Sequence, residues 1–547
     1  MATSFIFGGR QRKLPGVYAT IKSKITNPAA IIDYGRLLII DNGVVNAGYG
    51  GGAGVIGTLA SGADSIYRFD NIESFRDFVK GGYLWKIAEP LFFPDKGVSG
   101  VSEIIFAKAA TTAAATLTFT ATGGGAKGGT FSSKVRDEGL IGNGAKDLVD
   151  TALLIKGYGF KFITGVKDPT KWIMQFCVGT FKGDAADGVP YDEVESVNTV
   201  PQVLVQSPEF NNIQTLLDWA AIDPGYNQYF SLDSTSATAG DGSVILADIT
   251  SGYTLASGGT ETYADERVTE ILDLVKNIDY AFILADNYGS TGYDDAINTL
   301  LQTHIEEEAR FDKFMVVAGG DDSTEFTAAD GSQDIAEYFD SSKVIVVHGG
   351  VKKVSQTAPS GMRIWDAFYH AALMVGRMAS LAPQIPLTFK KIGVDGLSHI
   401  LSDSDQEICL DSGILTTIYD SDSADFRILQ GINTLQNNTY VLNSDSTSFS
   451  IQLNRIISQL NRELIVKAKT ELLQNPQGVN RNTLSAAYLK NWIETYLQTK
   501  VATGTVDNLI LSYQDVTVTL VQDSYFATYS VVANSEITKI FITGFMI

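Results

Sequence analysis

The chain has 547 residues, 44% of them hydrophobic, and its 41 basic and 62 acidic residues give a formal net charge of -21. That length predicts three or four domains with a large buried core, and the charge argues against a general nucleic-acid binder and for a self-repelling particle surface. Cys177 and Cys409 are the only cysteines, with no CxxC pair, so a disulfide framework and a zinc site have no support, and two buried thiols in a reducing compartment are expected.

The first residues, MATSFIFGGRQRKLPGVY, lack a secretory apolar region, and no apolar run is long enough to span a bilayer. A cytosolic product without direct membrane insertion is therefore expected. Residues 8–13 are basic and lead into Leu14, Pro15, Gly16, Val17, Tyr18, Ala19, Thr20 and Ile21, an alternating run after a Pro-Gly turn. This pattern predicts a strand on a basic arm, donated to another subunit or completing its own sheet. The apolar run 36–41 ends at Asn42-Gly43; a glycine-rich loop, a short helix near 74–80 and an apolar run at 103–109 follow. Together they make a strand, helix, strand pattern.

From Thr111 the composition turns to Ala, Thr and Gly, and short strand-like runs such as 159–163 and 171–178 continue to about 259, interrupted by one helix at 213–221. Residues 262–350 return to an α/β rhythm, with helices at 265–276, 293–310 and 332–339 alternating with strands at 280–286, 313–319 and 343–350. Parallel strands buried by helices fit that rhythm, and the strands around Ile39 and Ile105 are expected to join their sheet. A helix over 365–381 ends before Pro383 and Pro386.

Acidic turns at 403–411 and 420–425 precede a long amphipathic helix, 449–473, whose apolar side includes Leu453, Ile456, Ile457, Leu460 and Leu464. Arg455, Arg462 and Lys469 recur every seven residues and are expected to form one basic stripe, either a solvated face or a docking surface for an acidic partner. A helix at 483–499 and strands at 509–515, 517–522 and 525–532 lead to the last stretch, 536–547. There Ile537, Phe541, Phe545 and Ile547 share one face, which also carries Lys539, and Ile540, Ile542 and Met546 the other. A strand with two dry faces needs cover from its own chain or from another copy.

The expected fold class is thus α/β and α+β multidomain. It comprises an N-terminal arm with a donated strand (1–24), an α/β core domain (25–110 and 260–400), a mostly β inserted domain (111–259) and a C-terminal α+β domain (401–547), with strand-exchanging terminal arms.

Signals for chemistry are weak. The glycines at 48–54 lack the GxxxxGK[ST] pattern of a phosphate loop, which favours a surface loop. His304, Glu307 and Glu308 are not HExxH and read as a solvated helix face. Asp420, Asp422 and Asp425 lack the glycine and distal glutamate of a calcium loop. No GxSxG occurs, and the four histidines form no recognisable triad, so no catalytic, cofactor or metal residues are assigned. The alternative to a structural role is an α/β enzyme with its site at the strand ends near Asp286, Gly319 and His348.

Four stretches in this order and spacing resemble the contractile phage tail sheath proteins, a family that includes the sheaths of related injection systems. They are Leu14-Pro15-Gly16-Val17-Tyr18; residues 36–43 with the Phe75 helix and 103–108; the series Pro386-Leu387, 392–397, 410–414 and 428–435; and 453–457 continuing through Trp492 to the terminal strand. Gln430-Gly431 and Asn433-Thr434 stand where many members read Trp-Gly and Arg-Thr. The resemblance implies a structural subunit without enzymatic activity or cofactors. It forms hexameric rings stacked as a helical sheath on an inner tail tube protein, bounded by baseplate and tail terminator proteins, and contracts to drive the tube through a target envelope. It implies a virion tail component assembled in the host bacterial cytoplasm. It also implies that Pro15 to Ile21 and Ile537 to Phe545 insert into neighbouring subunits, that the Arg455 stripe faces the tube, and that the inserted domain projects outward.

Overall fold

The structure is a computed structural model. It describes most of residues 34–109, 154–182, 202–222, 265–320, 331–435, 449–473 and 484–534, with short strands between them; residues 13–33, 42–65, 236–253, 436–448 and 535–547 lie outside the described residues.

The chain order begins with strands β1 (Arg36–Asp41) and β2 (Ile66–Phe69), helices α1 (Ile72–Val79) and α2 (Gly82–Phe92), and strand β3 (Glu103–Lys108). Next come β4 (Leu154–Thr164), β5 (Trp172–Lys182), β6 (Gln202–Gln206) and α3 (Ile213–Ile222). The α/β rhythm follows as α4 (Asp265–Val275), β7 (Phe282–Ala285), α5 (Asp295–Glu306), β8 (Phe314–Ala318), α6 (Ser332–Phe339) and β9 (Val344–Val347). A small antiparallel sheet of β10 (Val351–Val354), β11 (Met362–Trp365) and β12 (Gly396–Leu397) flanks helix α7 (Ala367–Ala379). The remainder is α8 (Asp403–Asp411), β13 (Ile414–Leu415), β14 (Thr417–Asp420), β15 (Asp425–Ile428), α9 (Ile451–Lys467), α10 (Ala486–Gln498), β16 (Ile510–Val521) and β17 (Ser524–Ala533).

The main sheet has seven strands in the order β13-β9-β8-β7-β1-β3-β2, all parallel except the edge strand β2. Its strands are near-continuous apolar runs because both faces are covered, as parallel sheets require. Leu37, Ile39, Ile104, Phe106, Phe282, Leu284 and Phe314 point to the side packed by α1, α2 and α7. Leu38, Ile40, Ile105, Ile283, Met315 and Val317 point to the side packed by α4, α5 and α6. The strands at Ile39 and Ile105 pair with each other, and β1 joins them to β7.

Between β3 and α4 the described strands are antiparallel, dominated by the long pair β4 and β5, with Phe160, Phe162, Met174, Phe176 and Cys177 buried. A second small core belongs to the C-terminal region: Ile456 and Leu460 of α9, Ile493, Tyr496 and Leu497 of α10, and Ile510 and Val516 of the β16–β17 hairpin. The architecture is therefore mixed α/β, with a mostly parallel main sheet and small antiparallel sheets.

Three local readings need correction. Residues 403–411 are a helix rather than an acidic turn, because Ser402 and Asp405 make a reciprocal capping box that satisfies the first amides of α8. The two short strands at 509–522 are one, β16, with a register shift where Asp515 adopts φ 55 and lets a bulge form without ending the strand. The helix α2 had no counterpart in the sequence reading, since Pro90 in its last turn masks the apolar periodicity of Leu84, Ile87 and Leu91.

Helices α2 and α7 approach closely at Gly376, where an added Cβ would lie 2.3 Å from the carbonyl oxygen of Pro90. Alanine has the better helix propensity by about 1 kcal/mol, but wedging apart two packed helices costs about 1–3 kcal/mol. Gly376→Ala is therefore expected to lower the unfolding free energy measured in denaturant; an increase would show that the contact is slack.

Candidate functional site

Helix α9 starts at the N-cap Ser450, whose side chain accepts from the Leu453 amide, and runs along the junction of the main core and the C-terminal core. Its placement overturns the basic stripe as one solvated face. Arg455 is 1% exposed. Its Nη2 donates to the carbonyls of Met378 and Leu381, at 3.1 and 2.6 Å, at the end of α7, and its guanidinium lies over the Tyr34 ring, 4.3 Å from the centroid. The Tyr34 hydroxyl in turn donates to the Arg455 carbonyl at 3.0 Å. Carbonyls at a helix C-terminus carry partial negative charge, so they suit a cation that has left water. Burial lowers the Arg455 pKa, opposed by Tyr34, and the same burial raises that of Tyr34.

Arg462, one turn pair further on, is partly exposed and engaged in an ion-pair network at the starts of the parallel strands. It lies 3.3 Å from Asp279 and 3.3 Å from Asp312. Asp279 also meets Arg36 and Lys313, and Glu103 meets Arg36 and Arg68. Lys469 is exposed, on a π-helical turn (Ala468–Leu473) that continues α9. The heptad spacing was read correctly, but it ignored that a helix between two cores has no wide solvent face.

Beyond α9 the hairpin β16–β17 packs one face on α9 and α10. Tyr529 donates to Asn461 and Tyr525 donates to the Leu484 carbonyl, both at 2.5 Å. Leu511, Leu520, Phe526 and Val532 are exposed. Among the described residues the two long strands pair only with each other, apart from the bridge between Val501 and Ile510. Each therefore presents an outer edge of main-chain donors and acceptors, the natural template for a further strand. Pro15, Gly16, Val17, Tyr18, Ala19, Thr20 and Ile21, and likewise Ile537, Lys539, Ile540, Phe541, Ile542 and Phe545, lie outside the described residues.

Of the strand-end residues of the enzyme reading, Gly319 and His348 are packed into the fold. The Ser332 hydroxyl stands 2.7 Å from His348 Nδ1, and Phe326 packs on the ring. Gly319 adjoins Ser332, and Asp286 is outside the described residues. The cavity beside His348, bounded also by His370 and His399, has a volume of about 10 Å³, which is room for about one water. His304 is buried rather than solvated, 2.6 Å from the Tyr280 hydroxyl, because α5 turns it toward the sheet; Glu307 is exposed and Glu308 is outside the described residues. Asp420 and Asp425 are drawn into pairs with Arg427, and Asp425 also with Lys391. Among the described residues no group of three or more His, Cys, Asp or Glu could hold a metal ion, and no helix is long and apolar enough to cross a membrane.

No family model matches the chain. A tail sheath protein of a Bacillus phage, SP01, is 24% identical over 283 residues, covering 51% of this chain and 45% of that protein. Over that stretch the chain is similar to a tail sheath protein. The matched stretch spans less than half the length of the SP01 protein. Two solved structures are also similar: a sheath tail protein of Listeria innocua, with 15% identity, a TM-score of 0.44 and coverage of 92% of this chain and 95% of that one, and one of Desulfitobacterium hafniense, with 14%, 0.42, 95% and 99%.

The buried Arg455 joint is the part of this site most open to test. Arg455→Met removes the guanidinium donor from the Leu381 and Met378 carbonyls, the latter still accepting from the Leu381 amide at 3.2 Å, and is expected to cost about 1–3 kcal/mol. Arg455→Lys keeps the charge but not the fork and should recover less than half of that loss. Lys469→Glu, at an exposed position, should stay within about 0.5 kcal/mol of the parent. Denaturant unfolding of the three variants checks the order; equal stability of Arg455→Met and the parent would refute the buried joint.

Proposed function

We propose that the chain is a structural subunit of a contractile tail sheath, polymerising as stacked hexameric rings around an inner tube and contracting to drive that tube through a target envelope. The reading rests on the similarity to a phage tail sheath protein, and it gains physical content from one observation: among the described residues the outer edges of the β16–β17 hairpin, beyond the Val501–Ile510 bridge, have no strand partner, on a separately packed C-terminal core. Two edges suit two donated strands, the N-terminal arm Pro15 to Ile21 and the terminal strand Ile537 to Phe545, each from a neighbouring copy. Main-chain hydrogen bonds along a strand resist pulling together, while the linkers to the strand are free to bend.

In this reading residues 111–259 form an inserted, mostly β outer domain, 25–110 with 260–400 the core, and 401–547 the inner domain. Its partners are other copies of the chain, the tube, a baseplate and a terminator. Of the three basic residues, Lys469 remains the candidate contact to the tube. Arg462 contributes through its exposed fraction, and the buried Arg455 positions the helix that carries both. Reversible contact between exposed charges is weakened by salt and easily released when rings move. The work is mechanical, and no residue is assigned a chemical step.

Electron microscopy of the purified protein tests the reading: helical tubes or stacked rings are expected. A chain shortened by residues 536–547 should be soluble, keep the secondary structure of the parent and form no tubes, whereas normal tubes from that truncation would overturn strand donation.

A further inference from the structure

At the carboxyl end of the main sheet, His348, the residue after β9, and His399 of the segment before α8 bring their Nε2 atoms to 3.3 Å. His348 is fully buried and His399 partly exposed. Each ring has its other nitrogen beside a serine hydroxyl, Ser332 at 2.7 Å from His348 Nδ1 and Ser398 at 3.3 Å from His399 Nδ1. The Ser332 oxygen also accepts from the Gly320 amide at 2.7 Å, which ties this chain of contacts to the end of β8. The two imidazoles are a hydrogen-bonded pair, and among the described residues no group of three or more His, Cys, Asp or Glu could hold a metal ion. Such a pair has a simple rule: one nitrogen must bear the proton and the other must not.

We propose that the His348–His399 pair is a proton-controlled latch that holds residues 396–402 against the carboxyl end of the main sheet at neutral pH and releases them in acid. Neutral rings share one N–H, and a singly protonated pair still has one N–H between the two nitrogens. When both rings are protonated, two N–H groups face each other at 3.3 Å and the contact is lost.

Among the described residues, His370 and Asp405 are the titratable groups beside the pair. His370 of α7 lines the same cavity; its Nδ1 lies 2.8 Å from the Gly349 carbonyl and its Nε2 2.8 Å from Thr417 Oγ1. Burial pushes its pKa down to about 4, so it stays neutral through the range that matters. Asp405 of α8 interacts electrostatically with both rings and is held below the usual carboxylate range by the Ser402 hydroxyl and amide, so it stays charged and favours the first proton. Ser332 of α6, Phe326, Thr416 and Thr417 are uncharged. The sign follows: the contact survives one proton and not two, so the latch is closed at neutral pH and opens in acid as the second ring is protonated.

What the latch secures is the short segment from β12 to the α8 capping box. Its main-chain ties are few, among them Ser398 N to the Gly350 carbonyl and the β10–β12 pairing. A region with few such bonds opens locally without global unfolding.

Hydrogen exchange by mass spectrometry on the full chain, corrected for the intrinsic pH dependence of exchange, tests this. Between pH 7 and pH 5 the peptides over 396–411 should lose about tenfold in protection while those over α9 stay unchanged. In His399→Gln the amide can turn to donate to a neutral His348 or accept from a protonated one, so this loss should vanish. His370→Gln should retain it. Equal protection of 396–411 at both pH values in the parent, or an undiminished loss in His399→Gln, overturns the latch, as does its abolition in His370→Gln.

Discussion

A guanidinium held by carbonyls and an aromatic ring, with no carboxylate partner among the described residues, joins the two ends of this chain. Arg455 sits where the end of α7, the residue Tyr34 ahead of β1, and α9 meet. Taking a charge out of water is expensive, and only a fixed set of dipoles compensates it. That condition fixes three pieces relative to one another: the sheet entry, the α7 terminus and the C-terminal helix. The Arg462 network adds a second tie at the strand starts, and its partners Asp279, Asp312, Arg36 and Lys313 all precede or begin parallel strands. A load applied to α9 thus reaches the sheet through charged, directional contacts rather than through apolar packing alone.

This arrangement separates two mechanical roles. The seven-strand sheet with helices on both faces is a close-packed body that deforms little. The hairpin β16–β17 belongs to its own small core, and among the described residues its long strands pair only with each other apart from the contact of Val501 with Ile510. In the sheath subunit proposed above, such a division would let rings rotate and compress by moving whole bodies while strand links persist. Its exposed apolar residues, Leu511, Leu520, Phe526 and Val532, make the hairpin a hazard when alone and an asset when covered.

Much of the core was legible because its strands are short, wholly apolar runs between helices with clear periods; 332–339 was read to the residue, and 314–318 and 344–347 within a few. Two features hid from a linear reading. Periodicity places Arg455 opposite Ile456 and Leu460 but cannot show that a second body covers that opposite face. Polarity marks 403–411 as a turn, although Ser402 and Asp405 already spelled a capping box, with Asp in place of the usual Glu. The histidines fared similarly: His348 was noted for its strand end, yet its partner His399 stands 51 residues further along the chain, a separation no local motif covers. For the candidate assembly strands the sequence remains the guide, since both lie outside the described residues.

Cross-linking within assembled protein tests the account most directly. Both native cysteines are buried, so the paired substitutions Phe541→Cys and Ser530→Cys report on the terminal strand and the hairpin with little background. The account predicts that oxidation of assembled tubes gives a ladder of chains joined to one another, collapsing to monomer on reduction. Closed monomers, with the two introduced thiols bridged inside one chain, would contradict it.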